Sequence, residues 1–149
     1  MKRGNCPDQR KVVTYSATTN ACEKGNSSHF LITYNAAISA CGKGSRWDLA
    51  LHLFSELPVW HLRADTITYN AVISAFEKGN QWSLALECFR KLLHDALQPQ
   101  LMTLNALISS CEKVGQWQPV LSMLEQMRFH HLQPNVVTHN AFISAFEKA

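Results

Sequence analysis

"TYNAVISAFEKGNQW", residues 68–82, is the stretch on which the fold turns, because the chain says it more than once. It returns as "TYNAAISACGKGSRW" at 33–47, as "TLNALISSCEKVGQW" at 103–117 and as "THNAFISAFEK" at 138–148. Thr33, Thr68, Thr103 and Thr138 stand 35 residues apart. A fixed period in the range of roughly 20–50 residues marks a repeat architecture. A shortened copy, "TYSATTNACEKGN", begins at Thr14, 19 residues before Thr33, so 16 residues of a full unit are absent there. The expected organisation is an N-terminal segment at 1–11, a truncated repeat at 12–30, repeats at 31–65, 66–100 and 101–135, and a partial repeat at 136–149 that holds a first helix only.

Each unit reads as two helices. Tyr69, Val72, Ile73 and Phe76 recur three, four and seven residues apart, which is one face of a helix. Asp65 and Thr66 offer capping oxygens before it, and Gly79 is expected to end it. Trp82, Ala85, Leu86, Phe89 and Leu93 form the apolar face of a second helix, repeated as Trp47, Ala50, Leu51 and Phe54, and as Trp117, Val120, Leu121 and Leu124. Pro119 falls in a first turn, where proline is tolerated, and Pro58 is expected to stop its helix early. There is no strand pattern. Helix pairs at a fixed period predict an all-α solenoid of helix-turn-helix pairs, about four repeats plus the truncated one, in which each unit packs on its neighbours.

Composition narrows the function. The chain of 149 residues is 46% hydrophobic and 17% charged, which argues against disorder. The net charge of +3 permits a polyanionic partner. No apolar run is long enough for a membrane span, so no membrane partner is expected. The leading "MKRGNCPDQRKVV" has no apolar core for secretion and is short and poor in Ser for an organelle transit peptide. The five cysteines are odd in number and contain no C-x-x-C. Cys22, Cys41 and Cys111 share a unit position with Phe76 and Phe146, so the site is read as apolar packing and no metal is expected. The Trp47, Trp82 and Trp117 series is read as core for the same reason. No phosphate loop, nucleophile elbow or metalloprotease motif occurs, so the chain is not read as an enzyme, and no cofactor is expected.

The polar letters that hold fast are more telling. Asn35, Asn70, Asn105 and Asn140 are followed four residues later by Ser39, Ser74, Ser109 and Ser144, and four later again by Lys43, Lys78, Lys113 and Lys148. Steps of four stay on one side of a helix. Three residues before each Asn stands an apolar residue: Ile32, Ile67, Met102 and Val137. Asparagine offers a donor and an acceptor to a base edge. The apolar residue can pack on a base, and a lysine row suits a phosphate backbone. Competing readings are lysines that favour the helix dipole, apolar residues that staple the helix start, and asparagines that bridge neighbouring units. On these residues alone, RNA reading and a protein-binding helical-repeat scaffold, tetratricopeptide-like, stand level.

The unit "ITYNAVISAFEKGNQWSLALECFRKLLHDALQPQ" resembles the pentatricopeptide repeat: 35 residues, a V-T-Y-N-like opening, a glycine between the helices, an A-L-x-x-F second helix and a closing Pro followed by a polar residue. The resemblance runs from Val12 to Ala149. It implies sequence-selective binding of single-stranded RNA, one nucleotide per repeat, in a mitochondrion or plastid, in RNA processing, stability, editing or translation. By the same resemblance the Asn after T-Y and the last residue of the unit choose the base. Asn35 with Asp65 resembles the uridine pair, and Asn105 with Asn135 the cytidine pair. Asn70 with Gln100 departs from the usual Asp or Asn, and a pyrimidine is expected there. Asn140 has no closing partner within the chain. Ile32, Ile67, Met102 and Val137 are implied to sandwich bases, and Lys43, Lys78, Lys113 and Lys148 to meet phosphates. His139 and Leu104 stand where the family has Tyr. The chain is expected to be part of a longer array, and the uncovered last helix, with Phe142 and Phe146, to permit protein partners or self-association.

Overall fold

The computed structural model describes residues 27–148. Ser16 and Cys22 of the truncated repeat lie outside the described residues. Seven α-helices and no strand occur among them: α1 (Ser27–Lys43), α2 (Trp47–Glu56), α3 (Thr66–Lys78), α4 (Trp82–His94), α5 (Leu101–Lys113), α6 (Trp117–Phe129) and α7 (Val136–Glu147). The all-α solenoid expected from the sequence is the observed fold. The unit boundary expected between Phe30 and Leu31 falls inside α1.

The first helices α1, α3, α5 and α7 lie side by side and touch in sequence order. Each of α2, α4 and α6 packs on its own first helix and on the next one, and α2, α4 and α6 do not touch one another. The first helices therefore form the continuous layer of the array.

The predicted first-helix face is the core. Tyr69, Val72, Ile73 and Phe76 are all buried. Burial of each such side chain stabilises the fold by about 1.5–3 kcal/mol. On α4 the buried line is Ala85, Cys88, Phe89 and Leu92, with Trp82, Leu86 and Leu93 half-buried beside it. It is turned from the expected face because α4 has two neighbours, α3 and α5, and must cover both. Burial pushes the Cys88 thiol up to about 12 and that of Cys111 to about 11. At the position shared by Cys and Phe, Cys111 and Phe76 are buried as expected, whereas Cys41 is half-buried and Phe146 is 40% exposed.

One local expectation is corrected and another is refined. The cap of α3 is a reciprocal pair between Asp65 and Thr68, not Asp65 with Thr66: the Thr68 amide donates to Asp65 Oδ1 at 2.8 Å and the Asp65 amide to Thr68 Oγ1 at 3.2 Å. Thr66 is already the first helical residue. Gly79 caps the end of α3 as expected, but it is not the left-handed residue of the turn. Its φ is −85°, and the turn is made by Asn80 at φ 56°. Ser45 and Gly115 do the same after α1 and α5, at 55° and 69°. In each case the next amide reaches back five residues, as from Gln81 to the Phe76 carbonyl at 2.8 Å. Gly79 is small for another reason: a Cβ there would lie 2.3 Å from Cδ1 of Trp47. Pro58 behaves as predicted, since α2 stops at Glu56 and a 3-10 turn, Leu57–Trp60, carries the proline.

Candidate nucleic-acid interface

Where successive first helices meet, the constant Asn is tied to the start of the next unit. Asn35 Nδ2 donates to Asp65 Oδ1 at 3.4 Å, and its Oδ1 accepts from Thr68 Oγ1 at 2.7 Å. Asn70 does the same with Gln100 Oε1, at 3.0 Å, and with the Thr103 hydroxyl. Asn105 follows with Asn135 Oδ1 at 3.4 Å and Thr138 Oγ1 at 2.6 Å. The asparagines are half-buried in this ladder, whereas Asn140 is exposed. The structure thus realises the bridging role weighed for these asparagines. It does so by bringing together the residue pairs that the family resemblance singles out: Asn35 with Asp65, Asn70 with Gln100, and Asn105 with Asn135.

The ladder leaves defined atoms unspent. Each Asn amide has two protons, and only one is used in the pair. Among the described residues, no hydrogen bond engages Asp65 Oδ2, Gln100 Nε2 or Asn135 Nδ2. The first closing residue therefore presents an acceptor, and the other two present donors.

Beside each asparagine an apolar side chain stands in solvent. Ile32 is 63% exposed, Ile67 64%, Met102 69% and Val137 59%. The staple reading fails on this count. Ile67 is the second residue of α3, not the residue before the cap, and it packs on nothing that would fix the helix entry.

The lysines are less uniform than the sequence implies. Lys113 Nζ lies 2.7 Å from Glu77 Oε1, and Ser109 Oγ donates to the same oxygen at 3.1 Å. Lys148 and Ser144 treat Glu112 Oε1 identically, at 2.6 and 2.7 Å. These bonds from Lys148 and Ser144 hold the Glu112 carboxyl below the ordinary glutamate value. Lys43 and Lys78 are exposed, and among the described residues Lys78 has no ion pair.

Profiles of the same repeat match nearly all of the described chain: the Pentatricopeptide repeat domain at residues 88–148, the PPR repeat family at 31–76 and the PPR repeat at 67–95. The chain belongs to the pentatricopeptide repeat family. No curated protein matches the sequence. Among solved structures, the chain is similar to the pentatricopeptide repeat protein PPR10 in complex with an 18-nt psaJ RNA element, with TM-score 0.70 and 24% identity over 80% of this chain and 18% of that one. It is also similar to PPR10 from maize, with TM-score 0.52 and 16% identity over 93% and 27%. The chain thus spans about a fifth to a quarter of the length of the solved arrays it resembles, and at these identities the likeness speaks for the fold.

Within this pentatricopeptide repeat array, two sets of residues escaped the sequence reading. Thr68, Thr103 and Thr138 are buried polar residues that join cap to ladder. Their signal was the invariant Thr at the 35-residue period, which served only to count units. Glu77 and Glu112 were passed over because an exposed Glu beside a Lys reads as a solvated pair. Their partners lie 32 and 36 residues on, a separation that only the period discloses.

Proposed function

We propose that this array binds single-stranded RNA along its first-helix layer, with one nucleotide per repeat and a lean toward pyrimidines. The observation that supports it is the recurrence, at three junctions, of a hydrogen-bonded Asn pair flanked by an exposed apolar side chain. A base can lie between the apolar residues of successive units and turn its Watson–Crick edge to the pair. RNA recognition by helical repeats uses two or three side chains per base in this way.

The unspent atoms set the preference. At Asn35 and Asp65, the second carboxylate oxygen accepts from the N3–H of uridine while the spare Asn proton meets a carbonyl. Cytidine offers an acceptor at N3 instead, which suits the free amide of Asn135 beside Asn105. Gln100 also presents an amide donor, so Asn70 and Gln100 favour a pyrimidine with cytidine first. Asn140 would read a further base with a closing residue supplied from beyond this chain. Ile32, Ile67, Met102 and Val137 sandwich the bases, and of the Lys43, Lys78, Lys113 and Lys148 row those not held by a carboxylate contact phosphate. Our reading assigns such binding to RNA processing, stability, editing or translation in a mitochondrion or plastid, by likeness to the family, and it works by occupying a site.

Three bases at about 1–3 kcal/mol of stacking each oppose an association cost of about 4 kcal/mol or more, so this chain alone binds on the order of micromolar. The test compares U-U-C and U-C-C cores with A-A-G in one neutral oligonucleotide, with the RNA 5′ end at the N-terminal unit. Pyrimidine cores should bind more tightly. Equal affinity for all three rejects Asn35, Asn70 and Asn105 as base readers.

A further inference from the structure

The three junctions provide a controlled comparison within one molecule. At the second and third, one carboxylate oxygen sits between a serine hydroxyl and a lysine ammonium of the next helix: Glu77 Oε1 between Ser109 and Lys113, and Glu112 Oε1 between Ser144 and Lys148. At the first junction the hydroxyl and the ammonium are Ser74 and Lys78. The residue 35 positions before Glu77 is Gly42. Lys78 is exposed and Ser74 half-buried, and among the described residues neither has a hydrogen-bond or ion-pair partner. The receptor is repeated and the internal anion has been deleted.

We propose that the junctions are not equivalent toward nucleic acid: Glu77 and Glu112 close the sites at Ser109–Lys113 and Ser144–Lys148 with their own carboxylates, whereas Ser74 and Lys78, with Gly42 at the corresponding position, stay open to one oxygen of a phosphodiester. A phosphodiester oxygen, like a carboxylate oxygen, shares one negative charge with a second oxygen and accepts charge-assisted hydrogen bonds from an ammonium and a hydroxyl. The lysine row therefore does not contact RNA uniformly. Lys78 is free to meet the backbone, whereas Lys113 and Lys148 must first leave a carboxylate. The residue that decides between these states is not the lysine but the one at the position of Gly42, Glu77 and Glu112.

Assignment of the anion to RNA rests on the function proposed above, but the site itself does not. The decisive variant is Gly42→Glu. A Cβ at Gly42 meets Ala75 Cβ at 3.4 Å, an ordinary contact, and the glycine is not in the left-handed region, so a Cβ is tolerated there, and an unfolding curve of the variant checks the longer side chain. The first probe is inorganic phosphate, followed through the amide signals of Ser74 and Lys78 by NMR. Wild-type signals should shift in a saturable way. Gly42→Glu and Lys78→Ala should abolish the shift, and Glu77→Gln should create a new one at Ser109 and Lys113. The second probe is a single-stranded uridine oligonucleotide titrated at several salt concentrations. One lysine contributes about 0.7 to the log–log salt slope, so Lys78→Ala or Gly42→Glu should change the affinity ratio between about 50 and about 200 mM salt roughly threefold. Lys113→Ala should leave that slope unchanged. Phosphate shifts that persist in Gly42→Glu, or equal slope losses from Lys78→Ala and Lys113→Ala, overturn the proposal. Phosphate binding without any RNA binding would retain the site and reject the RNA reading instead.

Discussion

Between α1 and α3 the chain sets Gly42 against Ala75 and lets Trp47 lie where a Gly79 side chain would be. Between α3 and α5 the same register carries Glu77, and Val114 stands at the position of Gly79. The first junction is closed by shape and the second by charge. Both keep the Asn–Thr ladder without change. What varies between units is thus how the helices are held at their C-terminal end, and what does not vary is how the Asn is held at the N-terminal end. A polar ladder kept through such variation is one whose geometry matters to more than packing.

The shape-closed junction is the place to expect the largest effect. Gly79→Ala puts a methyl 2.3 Å from Cδ1 and 2.9 Å from Cβ of Trp47. The ring cannot evade it by rotating its far end alone, so α2 must shift. Overpacking of this kind costs about 1–3 kcal/mol. Denaturant unfolding should show that loss. Val114→Ala at the charge-closed junction should cost well under half as much, since Val114 is itself 41% exposed. Equal losses would mean that the two junctions do not differ in the way described.

The ladder should be next. Thr103 is buried, accepts from the Gln100 amide at 3.3 Å and donates to Asn70. Thr103→Val keeps the shape and strands both partners, at a cost of about 1–2 kcal/mol. It should also blunt discrimination between pyrimidine and purine at that unit, because Asn70 loses the bond that fixes its amide. Lost stability with unchanged discrimination would assign Thr103 to packing alone.

A smaller effect of opposite sign is expected at Ser110. Its hydroxyl is fully buried with no hydrogen-bond partner among the described residues, and Ala40, Ala75 and Ala145 occupy the same position in other units. Ser110→Ala removes an unpaired polar group and should raise stability by about 1 kcal/mol. A decrease would show that the hydroxyl has a partner that the α3–α5 junction needs.

The layered helix pairs were legible because two periods coincide. Val72, Ile73 and Phe76 repeat at helical spacing, and the whole pattern repeats every 35 residues, so core and connectivity followed together. Asn35, Asn70 and Asn105 were legible as a constant polar row. That each would bond the closing residue of its own unit came from family likeness, because a contact 30 residues away leaves no local pattern. The faces of second helices were read less well. Cys88 and Leu92 are buried on a helix that packs on both α3 and α5, and burial by a second neighbour does not alter helical periodicity. Gly79 was legible as the end of α3. The close approach of Trp47 from the unit before, which keeps the position small, can be seen only in three dimensions.

The smallest expected effect concerns acid. Lys148 and Ser144 hold the Glu112 carboxyl below its ordinary value in the folded chain. In the unfolded chain it returns to about 4.3. A depressed folded value means that the unfolded state takes up the proton first as pH falls. The stabilisation from Glu112 is therefore complete above the unfolded value and is lost as pH drops through the folded one. Glu112 and Lys148 are 20% and 49% exposed, so the pair is screened and contributes only about 0.2–1 kcal/mol. The difference in unfolding free energy between wild type and Glu112→Gln should thus be a few tenths of a kcal/mol near pH 7 and should fade in acid, as pH drops through the lowered folded value. It should also shrink in high salt. At the shape-closed junction no such carboxylate exists, and Lys78→Ala should leave the acid limb of the stability curve where it was. An acid limb that moves with Lys78→Ala and not with Glu112→Gln would reverse the assignment of charge and shape to the two junctions.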